Sequence, residues 1–201
     1  MLSNILTLDM RINLGARLIM AWAIAASTVA RTANSADNGA LMRPEMWQHA
    51  LPRLEMLAPP LPLPQGLTFE DSQGQSVTLA ATNGELRLIN LWATWCAPCR
   101  EEMPALDRLA EHLLEEPFQV LAIASGPHSM ANIKRFYTSA DLKHLDIYQS
   151  PNSQLAASLG AIALPSSFIV SPNGLVLARL IGDADWDAPA VIAVIRDHLP
   201  N

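Results

Sequence analysis

The chain has 201 residues, half of them hydrophobic, and a formal net charge of −6. That length suits one domain with extra sequence at one end. Of its 13 basic and 19 acidic side chains, Arg11, Arg17, Arg31 and Asp9 fall in the first 36 residues. The remaining body is acidic and lacks the footprint of a nucleic-acid binder.

The first 36 residues read as an export element. Arg11 and Arg17 precede the apolar run LIMAWAIAASTVA, residues 18–30, and small residues follow in STVARTANSA. The run has the length of a signal-peptide core and is shorter than the ~20 residues that cross a bilayer as a helix. Cleavage is expected after Ala30 or Ala36, and no cysteine follows the run to carry a lipid. An uncleaved N-terminal membrane anchor is the alternative. It would put Arg17 inside the bilayer, at a cost of roughly 2.5–3.5 kcal/mol near the centre. Either way the body is expected to be exported to the periplasm, where it meets disulfides.

Residues 37–66 read as a proline-rich linker or wrap-around arm. They lack a clean period and end in APPLPLPQG, whose clustered prolines favour extended polyproline II. Residues 43–57 have the pattern of a short helical turn. The folded body is expected over residues 67–201. LTFED and SVTLA flank SQGQ as a hairpin. LRLINLWA, residues 86–93, suits a strand buried on both faces. CREEMPALDRLAEHLLEE has helical spacing, with Pro104 expected to kink it. FQVLAIAS is a second buried strand, and SMANIKRFYTSA a helix capped by Ser129. LDIYQS reads as a short strand and SQLAASLG as a helix closed by Gly160. SSFIVSPNGLVLARLIG holds two strands around SPNG, and APAVIAVIRDHL a final amphipathic helix. The predicted fold is α/β, a central mixed sheet flanked by helices on both faces, with an added N-terminal β-hairpin.

Cys96 and Cys99 are the only cysteines. A bridge between them closes too short a loop to staple the fold, since stabilisation grows with loop length. A structural zinc site takes four ligands, and there is no second CxxC. The histidines, His49, His112, His128, His144 and His198, are scattered. His112 and His198 sit on amphipathic helices and are expected to be solvated. His128, in SGPHSM, follows the second buried strand and could approach Cys96 across the end of the sheet.

Cys96 lies where a strand hands over to a helix. Unpaired amides and the helix dipole favour an anion there. CxxC at such a position lowers a thiol pKa from ~8.5 to about 3.5–7.5. Cys96 is therefore expected to be the exposed attacking sulfur. Cys99, one turn on and on the same side, would resolve the mixed disulfide. Pro98 suits the first helical turn. Trp95 is expected to be an exposed aromatic that offers a docking face; plain packing is its alternative use.

LWATWCAPCREEMP resembles the active-site stretch of the thioredoxin superfamily. More narrowly it resembles the exported TlpA-like and ResA-like thiol-disulfide oxidoreductases, with similarity over residues 67–199. The resemblance implies a thioredoxin-like domain. ALPSSFIV matches the family's cis-proline segment, so Pro165 is expected to be cis and to lie opposite Cys96. The backbone of Leu164 would then be free to pair with an extended substrate. Asn90 stands where thioredoxins carry a buried acid six residues before the first cysteine. Glu102 matches the glutamate of the ResA-like branch, placed to raise a thiol pKa and to take a proton from Cys99; Glu101 beside it is expected to be solvated. Ser166 and Ser167 stand where relatives usually have threonines, keeping the hydroxyl.

The function implied is periplasmic thiol-disulfide exchange that reduces partner disulfides during cytochrome c or cytochrome oxidase copper-site assembly. Cys96, Cys99 and Glu102 would be catalytic, and Trp95, Leu164 and Pro165 would bind substrate. No cofactor beyond the cysteine pair is expected. The partners are protein disulfides or dithiols and a membrane thiol electron donor, and the expected state is a monomer. The alternative is a copper-binding protein of the same fold that uses the two thiolates, since soft sulfur suits Cu(I).

Overall fold

The computed structural model describes residues 43–82, 84–152 and 154–200. The expected export element and the start of the expected arm lie outside the described residues. β4 (Leu86–Trp92) is buried along its whole length. It runs parallel to β5 (Phe118–Ser125) and antiparallel to β7 (Ser166–Val170). With β1 (Glu55–Pro62), β2 (Thr68–Glu70), β3 (Ser76–Thr78), β6 (Tyr148–Ser150) and β8 (Leu175–Ile181) it forms one eight-stranded mixed sheet, ordered β1-β8-β7-β4-β5-β6-β2-β3. The expected N-terminal hairpin is present as β2 and β3.

Alternation along β4 divides the core. Leu86, Leu88 and Trp92 join an apolar cluster with side chains of α1 (Pro44–Ala50), α2 (Ala97–His112), α3 (Met130–Ser139) and α5 (Pro189–Arg196). Ile89 and Leu91 join a second cluster on the other face. That cluster is closed by Leu155 of α4 (Gln154–Ser158) and by Leu63, Leu67, Phe69 and Leu79. The second face is thus covered mainly by the hairpin region rather than by long helices. Each fully buried leucine contributes roughly 1.5–3 kcal/mol. Ser129 caps α3 by accepting the Asn132 N–H, and Gly160, at φ 71°, follows α4. α2 runs through Pro104 as one helix.

Of the two readings of residues 37–66, the described part is the arm and not the loose linker, since the chain is built into the sheet. β1 pairs antiparallel with β8, Glu55 opposite Arg179 and Leu61 opposite Val176, with an irregular stretch between. Prolines lack the N–H that a central strand needs but are tolerated on an edge, and β1 is the edge. The Ala58–Pro59 bond within it is cis. α1 buries Trp47 completely. The Trp47 ring lies 5.5 Å from that of His198, whose Nε2 accepts the Arg43 N–H at 3.0 Å. His198 is therefore buried, not solvated, because α1 covers the end of α5; its Nδ1–H donates to the Val194 carbonyl at 2.6 Å. An Arg43–Asp197 ion pair joins the same two segments.

Arg87 is an unexpected resident of the core. Its fully buried guanidinium donates to the carbonyls of Leu79 and Ser171, both at 3.1 Å, and to Thr82 Oγ1 at 2.7 Å. Burial pushes its pKa down.

If residues 43–66 are part of the fold, Trp47→Ala should lower unfolding free energy by about 3–5 kcal/mol, measured by urea titration. A tryptophan on a loose spacer would cost under about 0.5 kcal/mol.

Candidate active site

β4 delivers the chain to its carboxyl end at Trp92, and α2 starts at Ala97. Cys96 is the N-cap of α2, with Pro98 in the first turn. The two cysteines form a disulfide, with Cα atoms 5.3 Å apart, and Cys96 Sγ accepts the Cys99 N–H at 3.4 Å. Cys99 is fully buried and Cys96 retains 6% exposure. The expectation of an exposed attacking sulfur is therefore corrected: in the disulfide form Cys96 is buried. Cys96 packs into the same apolar cluster as Cys99, leaving one edge open.

One turn beyond Cys99, Glu102 projects from the same buried face of α2. It is 3% exposed, whereas Glu101 is exposed. Its Oε1 accepts from Asn90 Nδ2 at 2.8 Å. Its Oε2 accepts from the Ala184 N–H and from Trp186 Nε1, both at 3.1 Å. Loss of water around the carboxylate raises its pKa from 4.5 to about 7, against the three hydrogen bonds that favour the charged form. Asn90, the amide where thioredoxins have an acid, also donates to Ser167 Oγ at 3.0 Å. Its Oδ1 is buried with no hydrogen-bond partner among the described residues.

The Leu164–Pro165 bond is cis. The β4–β7 ladder starts at the Leu91–Ser166 pair, which sets buried Pro165 beside the end of β4 that leads to Cys96. Leu164 lies outside that ladder. A cleft of about 440 Å³ opens here, lined by Trp95, Ser125, Pro127, Ala157, Ile162 and Leu164 among others. Trp95 is 68% exposed and Ile162 83%. The structure therefore brings Trp95 and Leu164 to one cleft. His128 reaches the segment before Cys96, where its Nδ1 lies 3.2 Å from Thr94 Oγ1. Among the described residues, no three His, Cys, Asp or Glu side chains are grouped as a metal site would require.

Sequence reasoning missed Ala184 and Trp186 as partners of Glu102, and Ile162 on the cleft. A lone tryptophan set among aspartates in GDADWDAPA was the available signal for Trp186. Nothing local marked Ile162.

Residues 57–179 match the AhpC/TSA family. The chain is similar to the thiol-disulfide oxidoreductase ResA of Bacillus thuringiensis subsp. konkukian, at 28% identity over 113 residues, 56% of this chain and 64% of that one. It is also similar to the thiol:disulfide interchange protein CycY of Rhizobium leguminosarum bv. viciae, at 32% identity over 123 residues, 59% of this chain and 64% of that one. The matched region thus spans about 64% of the length of these relatives. Among solved structures, a secreted thiol-disulfide isomerase from Corynebacterium glutamicum superposes with a TM-score of 0.61 at 21% identity, over 72% of this chain and 92% of that one. The fold is thioredoxin-like, and the family match begins within β1, ten residues before the expected domain start.

The buried carboxylate makes stability depend on pH. Between about 4.5 and about 7 the folded protein keeps a proton on Glu102 that the unfolded chain has released. Stability is therefore fully present below that window and falls as pH rises through it, by up to about 3 kcal/mol. In paired denaturant titrations at pH 4 to 8, Glu102→Gln should lose this decline. Taking the difference between parent and variant cancels other titrating groups, His198 included. Parallel curves would show that Glu102 does not titrate in this range.

Proposed function

The chain belongs to the AhpC/TSA family, and we propose that it is an exported thiol-disulfide oxidoreductase that reduces disulfides of specific partner proteins. The observation that carries this reading is the Cys96–Cys99 disulfide at the start of α2, backed one turn on by the buried Glu102. In the reduced protein the helix start favours a Cys96 thiolate. That thiolate attacks a partner disulfide, forming a mixed disulfide and releasing one partner thiolate. Cys99 gives up its proton and attacks Cys96 Sγ, releasing the second partner sulfur. The pair ends as the disulfide seen here, and two electrons have passed to the partner.

Glu102 is the group assigned to take the Cys99 proton. A carboxyl group with a pKa of about 7 is matched to accepting and returning a proton near neutral pH. When ionised it also disfavours nearby thiolates, which destabilises the reduced pair and supports a reductant rather than an oxidant. Trp95, Leu164 and cis-Pro165 receive the partner's cysteine-bearing segment. Residues 1–36 supply export, as a cleaved signal or a retained anchor, and a membrane dithiol re-reduces the pair. The partners fitting the ResA-like resemblance are cysteine-bearing proteins of cytochrome c or cytochrome oxidase assembly.

Equilibration with glutathione or dithiothreitol should give a reduction potential near or below about −230 mV; a value near −120 mV would make the protein an oxidant. Cys99→Ser should retain partners from an export-compartment extract through Cys96, in bonds that dithiothreitol releases. An empty trap would count against protein disulfides as substrates.

A further inference from the structure

The cleft at Trp95 is lined by three segments from distant parts of the chain: Trp95 itself, in the turn between β4 and α2; Ser125–Pro127, at the end of β5; and residues 156–164, from α4 to the residue before Pro165. His128 joins the first two. The Ser125 carbonyl, at 3.1 Å from Nε2, can only accept, so Nε2 carries the proton. In the neutral ring this leaves Nδ1 to accept the Thr94 hydroxyl at 3.2 Å. Thr94 immediately precedes Trp95 and stands two residues before Cys96. Arg100 also holds Thr94, donating from Nη1 to its carbonyl at 2.8 Å, but that tether runs back to α2. The His128 bonds run across to β5.

We propose that His128, acting through Thr94, is a positioning residue that fixes the spacing of the cleft walls and so governs docking of the partner's cysteine-bearing segment. The inference rests on the exchange reaction proposed above. The cleft lining contains no ionisable side chain, while Trp95 and Ile162 stand out into solvent. A charged segment would lose hydration there without compensation. The occupant is therefore an uncharged, apolar stretch next to the partner's reacting cysteine. With the brace removed, the Thr94–Cys96 turn is tied to the β5 side only through the β4–β5 ladder, which ends at the Trp92–Ala124 pair, so the turn gains freedom and its ordering cost falls on binding.

The test compares a small disulfide-exchange reagent with one that needs the cleft. The reduced protein is reacted with a fluorescent ten-residue peptide carrying a Cys-Ala-Ala-Cys disulfide flanked by leucines. Separately, the oxidised protein is reduced by dithiothreitol. His128→Ala should slow peptide exchange about tenfold, through KM rather than kcat, and change the dithiothreitol rate by less than about twofold. Thr94→Val should reproduce this, and the double variant should be no slower than either single, since the two side chains form one bond. His128→Gln, which keeps a donor and an acceptor, should recover most of the peptide rate. Peptide exchange unchanged in His128→Ala, equal slowing with dithiothreitol, or additive losses in the double variant would each overturn the brace. If the parent protein fails to exchange with the peptide, the oxidoreductase reading falls and this inference falls with it.

Discussion

Burying one carboxylate without a cationic partner is the constraint around which the upper half of this protein is arranged. Removing a carboxylate from water costs several kcal/mol even after relaxation. Glu102 meets that cost with three donors, from β4, from the backbone of Ala184 and from the indole of Trp186. Asn90 passes the connection on to Ser167, two residues beyond the cis-proline. Four segments distant in sequence are thus held in register by one acid: the strand that delivers the cysteines, the helix that carries them, the proline segment beside them and the loop before α5. None can shift without leaving a charged or polar atom unsatisfied.

The opposite end of β4 is organised by a buried cation. Arg87 gathers the carbonyls of Leu79 and Ser171 and the hydroxyl of Thr82. Its side chain and that of Asn90 leave opposite faces of the central strand, with only apolar residues between them along β4. A one-residue slip of β4 would move both polar groups onto the wrong face, so the pairing with β5 and β7 is strongly specified. The two ends differ in how they are finished. At the Arg87 end both terminal nitrogens meet neutral acceptors and a donor, Nε, is left over among the described residues. At the Glu102 end an acceptor is left over, Asn90 Oδ1, and the group beside it has a pKa close to neutrality.

Much of this was legible in the chain. β4, β5, β7 and β8 are mostly apolar runs bounded by turn residues, and sheets buried on both faces demand that pattern. CxxC after a strand marked the helix start, and resemblance placed the proline and Glu102. Other features depend on contacts that no local pattern encodes. A proline-rich stretch reads as polyproline II until a neighbouring strand offers an edge, and β8 does so for residues 55–62. His198 looks solvated on its own helix and is buried only because α1, some 150 residues earlier, lies over it. Arg87 was counted within an apolar run; its acceptors come from a 3-10 turn and a hairpin turn that the run does not reveal. Asp107 is similar, a helix acid that accepts the backbone N–H groups of Lys143, His144 and Leu145.

The prolines of β1 have a consequence for how the molecule behaves beside other chains. Pro59 and Pro60 remove N–H groups from a strand that forms one border of the sheet, and the other border, β3, is only three residues long. Long unpaired borders act as templates for foreign strands. An extended segment of another chain adds to such a border through backbone hydrogen bonds. With one border carrying prolines and the other only three residues long, the sheet offers little length for such addition, which protects it against edge-to-edge aggregation.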